Sequence, residues 1–299
     1  MSLSSTRPWR AAAALALLSW AACACREVPA GDAHQGAGRG TGRTLRIRDA
    51  AGKEHRFALP LRRIVSLVPS ATETLRALGT ADRVVGRTDF DTAAWVEAIP
   101  SVGGGLHPSI EAIAALRPDV VIRFAGTQDP ATPARLDDLG IPDFAVRPDR
   151  IEDVLHIIHQ MGALTGARAA AESLVAAIEA GLDSIRASAA DLPPVRVAYV
   201  LGGDPPWVAG PGTYIDDLIT VAGGVNAFAD LSALYSAVSP EEFVSRRIDA
   251  ILMHAGSDFD RRLARGRPVL LVGAAVEIPG PSVVAAARDI ARLLRSVSR

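Results

Sequence analysis

The sequence predicts an α/β protein of two similar lobes, each with a parallel-type sheet flanked by helices. One long backbone helix joins the lobes, and a ligand cleft lies between them. Three observations carry this reading. Short apolar runs alternate with helical patterns from residue 63 onward, as in successive βαβ units. Residues 151–190 hold no Pro and only Gly162, Gly166 and Gly181, with apolar residues spaced three and four apart. The chain after that stretch repeats spacings found before it.

The elements follow in order. Residues 1–25 begin with Arg7 and Arg10 and continue into an apolar run, residues 11–22, that is too short to span a bilayer. This is the pattern of a secretory signal peptide. The small residues Ala21-Ala22 before Cys23 resemble the bacterial lipoprotein signal, which implies lipidation of Cys23. Cys25 is the alternative position, and cleavage without a lipid is the alternative process. Residues 26–42, rich in Gly and Ala and without apolar period, read as a flexible tether.

The N-terminal lobe is expected over residues 43–150. It opens with a hairpin at 44–59, where Leu45 and Ile47 alternate before Ala51-Gly52 and Phe57 and Leu59 after it. A buried strand at 63–68 is stopped by Pro69. The next helix, 70–78, takes Ser70 as its N-cap with Glu73 three residues on, and Gly79 ends it. A strand at 84–86, a helix at 109–116, a strand at 119–124 and a helix at 132–139 closed by Gly140 complete the pattern. A helical linker, 151–192, contains a shorter helix to about residue 165 and one from about 167 to 190, which would be about 35 Å long. Its stiffness predicts little hinge closure. Pro193-Pro194 ends it, and the strand VRVAYVL restarts the α/β pattern in a C-terminal lobe over 193–299.

The repeat is specific in its spacing. Ser109, Glu111 and Asp119 in the first lobe match Ser239, Glu241 and Asp249 in the second, and Glu73…Gly79 matches Asp217…Gly223. Two lobes whose strand ends face each other would place a ligand between them.

Composition narrows the function. With 49% hydrophobic and 22% charged residues the chain has the profile of a globular protein rather than a disordered one. A formal net charge of −1 offers no basic field for nucleic acid. Lys53 is the one lysine among 32 basic residues, so arginine here reflects a coding bias and a lone surface Arg carries little functional weight. Both cysteines lie in the leader, which leaves the folded part without a disulfide, a thiolate metal site or a thiol nucleophile.

Four segments together are diagnostic: RIVSLVPSATETLRALG (63–79), PSIEAIAALRPDVVI (108–122), PPWVAGPGTYIDDLITVAGGVNAF (205–228) and VSPEEFVSRRIDAIL (238–252). Over residue 44 to the C-terminus the sequence resembles the helical-backbone class of periplasmic substrate-binding proteins of ABC importers, and within it the cobalamin binders. Ferric-siderophore and haem binders share that framework. The resemblance implies a binding protein with no catalytic residues and no cofactor of its own, acting as a monomer. Its partners would be a cobalamin-like or other large metal-chelate ligand, an ABC permease dimer with its ATPase subunits, and the membrane through an N-terminal lipid. Glu111 and Glu241 fall where the family carries one permease-docking carboxylate per lobe. The aromatics that match its ligand-gripping positions are Phe124, Trp207 and Tyr235, with Phe90 in TDFD a further one; the family's cobalamin binder has Trp where Phe124 and Tyr235 stand here. It also has a Trp where this chain has Gly103-Gly104-Gly105.

Of six histidines, His107 lies in the loop before Glu111 and His254 follows the matching strand of the second lobe; both could reach the cleft, where a ring nitrogen could ligate a chelated iron or cobalt. A bare-metal binder would need three or four converging ligands. His156 and His159, three apart on a helix, have no third ligand beside them. An enzyme, a secreted hydrolase, is the alternative of a different class, but the chain holds no H-E-x-x-H, G-x-S-x-G or P-loop pattern.

Overall fold

The computed structural model describes residues 43–126 and 129–297. The leader with Cys23 and Cys25, the tether and His34 lie outside the described residues. No helix among the described residues is long and apolar enough to cross a membrane.

The first lobe begins with an antiparallel hairpin, β1 (Thr44–Arg48) and β2 (Glu54–Ala58), in the register that sets Leu45 against Phe57. Its turn is fastened to the lobe by Asp49. That carboxylate accepts from the backbone N–H of Ala51, Lys53 and Ala145, and lies 2.9 Å from His55 Nε2. Strand β3 (Ile64–Ser66) leads into helix α1 (Pro69–Ala77). The helix starts earlier than the expected Ser70 cap. Pro69 occupies its first turn, where the missing N–H has no partner to lose, and Val68 is the cap residue without a side-chain bond. Ser70 is buried instead. Gly79, at φ +72°, turns the chain out of α1 in the left-handed region.

Strand β4 (Val84–Gly86), helix α2 (Ile110–Ala115), strand β5 (Val120–Phe124), helix α3 (Ala131–Asp138) and strand β6 (Asp143–Val146) complete this lobe. Its sheet has the order β4-β3-β5-β6 and is parallel throughout. Both faces are covered, which is why Ile64-Val65 and Val120-Val121-Ile122 are unbroken apolar runs rather than alternating ones.

Two packed helices follow, α4 (Ile151–Thr165) and α5 (Arg168–Ala189). The second has 22 residues and so spans about 33 Å at 1.5 Å per residue. Gly162 permits their close approach: a Cβ there would lie 2.5 Å from that of Ala171.

The second lobe contains β7 (Val195–Gly202), β8 (Trp207–Ala209), α6 (Tyr214–Val221), β9 (Gly224–Asn226), β10 (Tyr235–Ala237), α7 (Pro240–Ser245), β11 (Ala250–His254), β12 (Val269–Val272) and α8 (Val283–Val297). Strands β9, β7, β11 and β12 run parallel, while β8 and β10 add an antiparallel extension.

The spacing repeat has a physical basis. Asp119 Oδ2 accepts from Arg63 N at 2.9 Å, and Asp119 N donates to Arg63 O at 2.7 Å. Asp249 does the same with Arg196, at 2.8 and 2.7 Å. Ser109 and Ser239 each cap the following helix by accepting a backbone N–H at 3.1 Å.

One buried apolar cluster joins the lobes. It runs from Ile64, Leu75 and Phe144 through Ile158, Met161, Ile178 and Leu182 of α4 and α5 to Leu218, Leu252 and Ile290. Two smaller clusters lie elsewhere in the two lobes. A polar tie crosses as well. Asp217, in the first turn of α6, accepts from Arg150 Nη2 at 2.7 Å and from the N–H of Ile151 at 2.9 Å, so it caps α4 from the other lobe.

Candidate functional site

The strand ends of β5 and β6 and the strands β8 and β10 face each other across a cleft of about 940 Å³. The first lobe contributes Arg123, Phe124, Arg147 and Asp149, the start of α3 with Asp129, and the hairpin turn Ala50-Ala51. The second contributes Trp207, Leu234 and Tyr235.

Three of the four aromatics named from the sequence therefore meet in one place. Phe124 ends β5, and its ring lies against Gly126, where a Cβ would come within 2.8 Å of Phe124 Cε1. Trp207 and Tyr235 lie on paired short strands: Ala209 pairs with Tyr235, and Trp207 with Ala237. Strand pairing leaves both side chains exposed, at 49% and 40%, large values for aromatics in a folded protein. The Tyr235 phenol is raised above its ordinary value by burial and then by the Asp149 carboxylate of the opposite lobe, so it stays protonated and able to donate.

Phe90 does not line this cleft. It stands 69% exposed in a tight turn, whose Asp91 carboxylate accepts from the N–H and hydroxyl of Thr88.

Beside the cleft lies a depression of about 550 Å³ that shares Trp207 and is lined by His254, Gly203 and Ser257. His254 Nδ1 accepts from Gly256 N at 3.3 Å, and Nε2 lies 3.7 Å from Glu277 Oε2. His107 is exposed and lines neither space. His156 and His159 line a separate groove between β1 and the helices α4 and α5. Among the described residues no group of three or more His, Cys, Asp or Glu side chains is arranged to hold a metal ion.

Glu111 and Glu241 are exposed in the first turns of α2 and α7. Each helix leads into a parallel strand, β5 or β11. Each therefore starts at the edge of its sheet where that strand ends, the edge that carries Phe124 in one lobe and His254 in the other.

The charged lining was not foreseen. Arg147 Nε donates to Asp149 at 2.6 Å, and Arg123 Nε donates to Asp143 at 2.5 Å. Discounting single arginines as a coding bias hides both. The signal that exposes Arg123 is its place as the one charge in the otherwise apolar strand VVIRF.

A family model described as periplasmic binding protein matches residues 64–269. Over 204 residues the chain is 34% identical to a cobalamin-binding protein of Halobacterium salinarum, covering 66% of this chain. The chain spans 54% of that relative's length, about half. It is 25% identical to a vitamin B12-binding protein of Vibrio cholerae, covering 64% of this chain and 70% of the relative. A solved apo structure of a periplasmic haem-binding protein from Roseiflexus sp. RS-1 superposes with a TM-score of 0.70 at 27% identity, covering 80% of this chain and 99% of that one.

Proposed function

The chain belongs to the periplasmic binding protein family, and from that premise we propose that it is the extracytoplasmic binding component of an ABC importer, taking cobalamin or a related corrinoid between its lobes. One observation carries the ligand class. Aromatic side chains from opposite lobes form the walls of a cleft whose charged lining consists of two arginines and two aspartates, Arg123, Arg147, Asp129 and Asp149. That lining has no net formal charge. It suits a large, flat, net-neutral macrocycle gripped by ring faces and edges. A dicarboxylate such as haem, or an anionic ferric chelate, would meet no unpaired arginine, since Arg123 and Arg147 already hold carboxylates. The name of the Halobacterium relative supports the same reading. Haem is the second reading. His254 favours it, because its ring borders the depression that shares Trp207.

A panel of cyanocobalamin, cobinamide, haemin and a ferric siderophore, followed by quenching of tryptophan fluorescence, tests the assignment. The two corrinoids are expected to bind most tightly; preference for haemin would install the second reading. Trp207→Ala and Tyr235→Ala are each expected to weaken corrinoid binding by about 1–3 kcal/mol, the scale of a lost aromatic anchor. Both side chains are half exposed, so the melting temperature should stay close to that of the parent. Unchanged affinity in both variants would place the ligand elsewhere.

Docking completes the reading: Glu111 and Glu241, one per lobe, meet arginines of the two permease subunits. At the N-terminus, Cys23, or Cys25, carries the lipid that keeps the protein at the membrane. Growth with a labelled fatty acid should mark the parent protein, and the double Cys23→Ala/Cys25→Ala variant should appear unlabelled in the soluble fraction. A label that persists in the double variant would count against lipidation at either cysteine.

A further inference from the structure

Arg123 lines the cleft, yet its guanidinium is not free. Nε donates to Asp143 Oδ2 at 2.5 Å, and Nη1 donates to the carbonyl of Phe124 at 3.2 Å. The Arg123 side chain is 12% exposed and that of Asp143 is 0% exposed. The other oxygen of Asp143 accepts from Lys53 Nζ at 3.0 Å, and the same Nζ donates to Asp137 at 2.9 Å. Lys53 is the one lysine of the chain. A compact ammonium with three independently directed donors can bridge two carboxylates in this way, whereas the planar fork of an arginine is shaped to grip one.

The arrangement is asymmetric. Asp143 is satisfied from both sides, by a cation from the hairpin and a cation from the cleft wall. Burial alone would raise its carboxyl, but the bonds and charges of Arg123 and Lys53 hold it below the ordinary range, so the carboxylate stays ionised. Among the described residues Arg123 hydrogen-bonds to no other carboxylate. Remove the Asp143 charge, and a cation on the wall of the cleft becomes available to whatever enters.

We propose that Asp143 is a specificity-determining positioning residue: it holds the Arg123 guanidinium against β6 and so withdraws a positive charge from the ligand, with Lys53 holding its second oxygen. The cleft is thereby tuned against anionic chelates rather than merely lacking a group to attract them. Lys53 belongs to the turn whose neighbours Ala50 and Ala51 touch the same cleft, so the hairpin contributes to ligand choice through charge as well as shape. This inference rests on the reading of the cleft as the ligand site.

Two probes of comparable breadth and different charge test it: cyanocobalamin, net neutral, and haemin, with two carboxylates. In Asp143→Asn the ratio of the two dissociation constants should move toward haemin by about 10-fold or more, the scale of a gained charge-assisted bond. The gain should shrink as salt is raised. Adding Arg123→Gln to that variant should abolish it.

Equal weakening of both probes in Asp143→Asn, or a gain that survives loss of Arg123, overturns the proposal. Should loss of the buried carboxylate prevent folding, the unsubstituted protein decides alone. Nitrogen NMR of the ligand-free protein gives a reading independent of both probes. The Arg123 Nε–H should exchange slowly with water in the parent, and fast exchange there overturns the proposal. A parent that binds neither probe would instead refute the corrinoid reading, with the NMR result still deciding the role of Asp143.

Discussion

Reversing the charge of both Glu111 and Glu241 to Arg is expected to reduce ligand uptake in cells to background while leaving the affinity of the isolated protein unchanged. Each carboxylate stands exposed at the start of a short capped helix, away from the lining of the cleft. Among the described residues no hydrogen bond or ion pair engages the Glu241 carboxylate, and Glu111 only accepts a bond of 3.3 Å from the Ser109 hydroxyl. Reversal therefore has little to break in the fold. At the proposed permease contact it would replace attraction with repulsion between like charges at close range, once per lobe. Single reversals should each impair uptake, with the double more severe than either. Uptake of labelled cyanocobalamin, read beside equilibrium binding to the purified variants, checks both halves. Weakened binding with normal uptake would put the carboxylates in the cleft instead.

Leu182→Ala is expected to destabilise the protein by about 2–5 kcal/mol, the range for truncating a buried leucine, against a total of only about 5–15 kcal/mol for a typical domain. Leu182 sits on α5 at 2% exposure, inside the apolar cluster that reaches both sheets. Because that cluster is continuous, both lobes should unfold in one transition. Trp95 in the first lobe and Trp207 in the second allow each to be followed through single-tryptophan variants, and the two denaturation curves should coincide. Two separated transitions, with only one shifted by the substitution, would show that the lobes hold independent cores.

The alternation of strand and helix, the two linker helices and the repeated Ser-Glu-Asp spacing were legible because each reflects local chemistry. A capping serine, a first-turn glutamate and an aspartate that closes the next strand onto its neighbour leave a linear trace. Three features left a weaker trace. At Ser70 two helix-start signals compete, and the proline beside it takes the first turn. Strands β8 and β10 have three residues each, too few for alternation to show, and their pairing comes from the far side of α6. The state of Arg123 depends on Asp143, 20 residues along the chain, and on Lys53, 90 residues from that aspartate, so no window of sequence contains the cluster. The lone lysine was visible as an oddity of composition, but its meaning required the two carboxylates that flank it.

The buried cluster running from Ile64 through Leu182 to Ile290 has a kinetic consequence. A ligand that finds the cleft walls already in place would wait for no rearrangement, so encounter would govern its association, and differences among ligands would be expressed as residence time. If the continuous core holds the walls as stiffly as the sequence predicts, the rigidity that favours fast capture would also make unassisted release slow for a tightly held ligand. On the proposed docking, unloading would then fall to the permease, which would have to bend a shared core in order to part Phe124 from Trp207 and Tyr235.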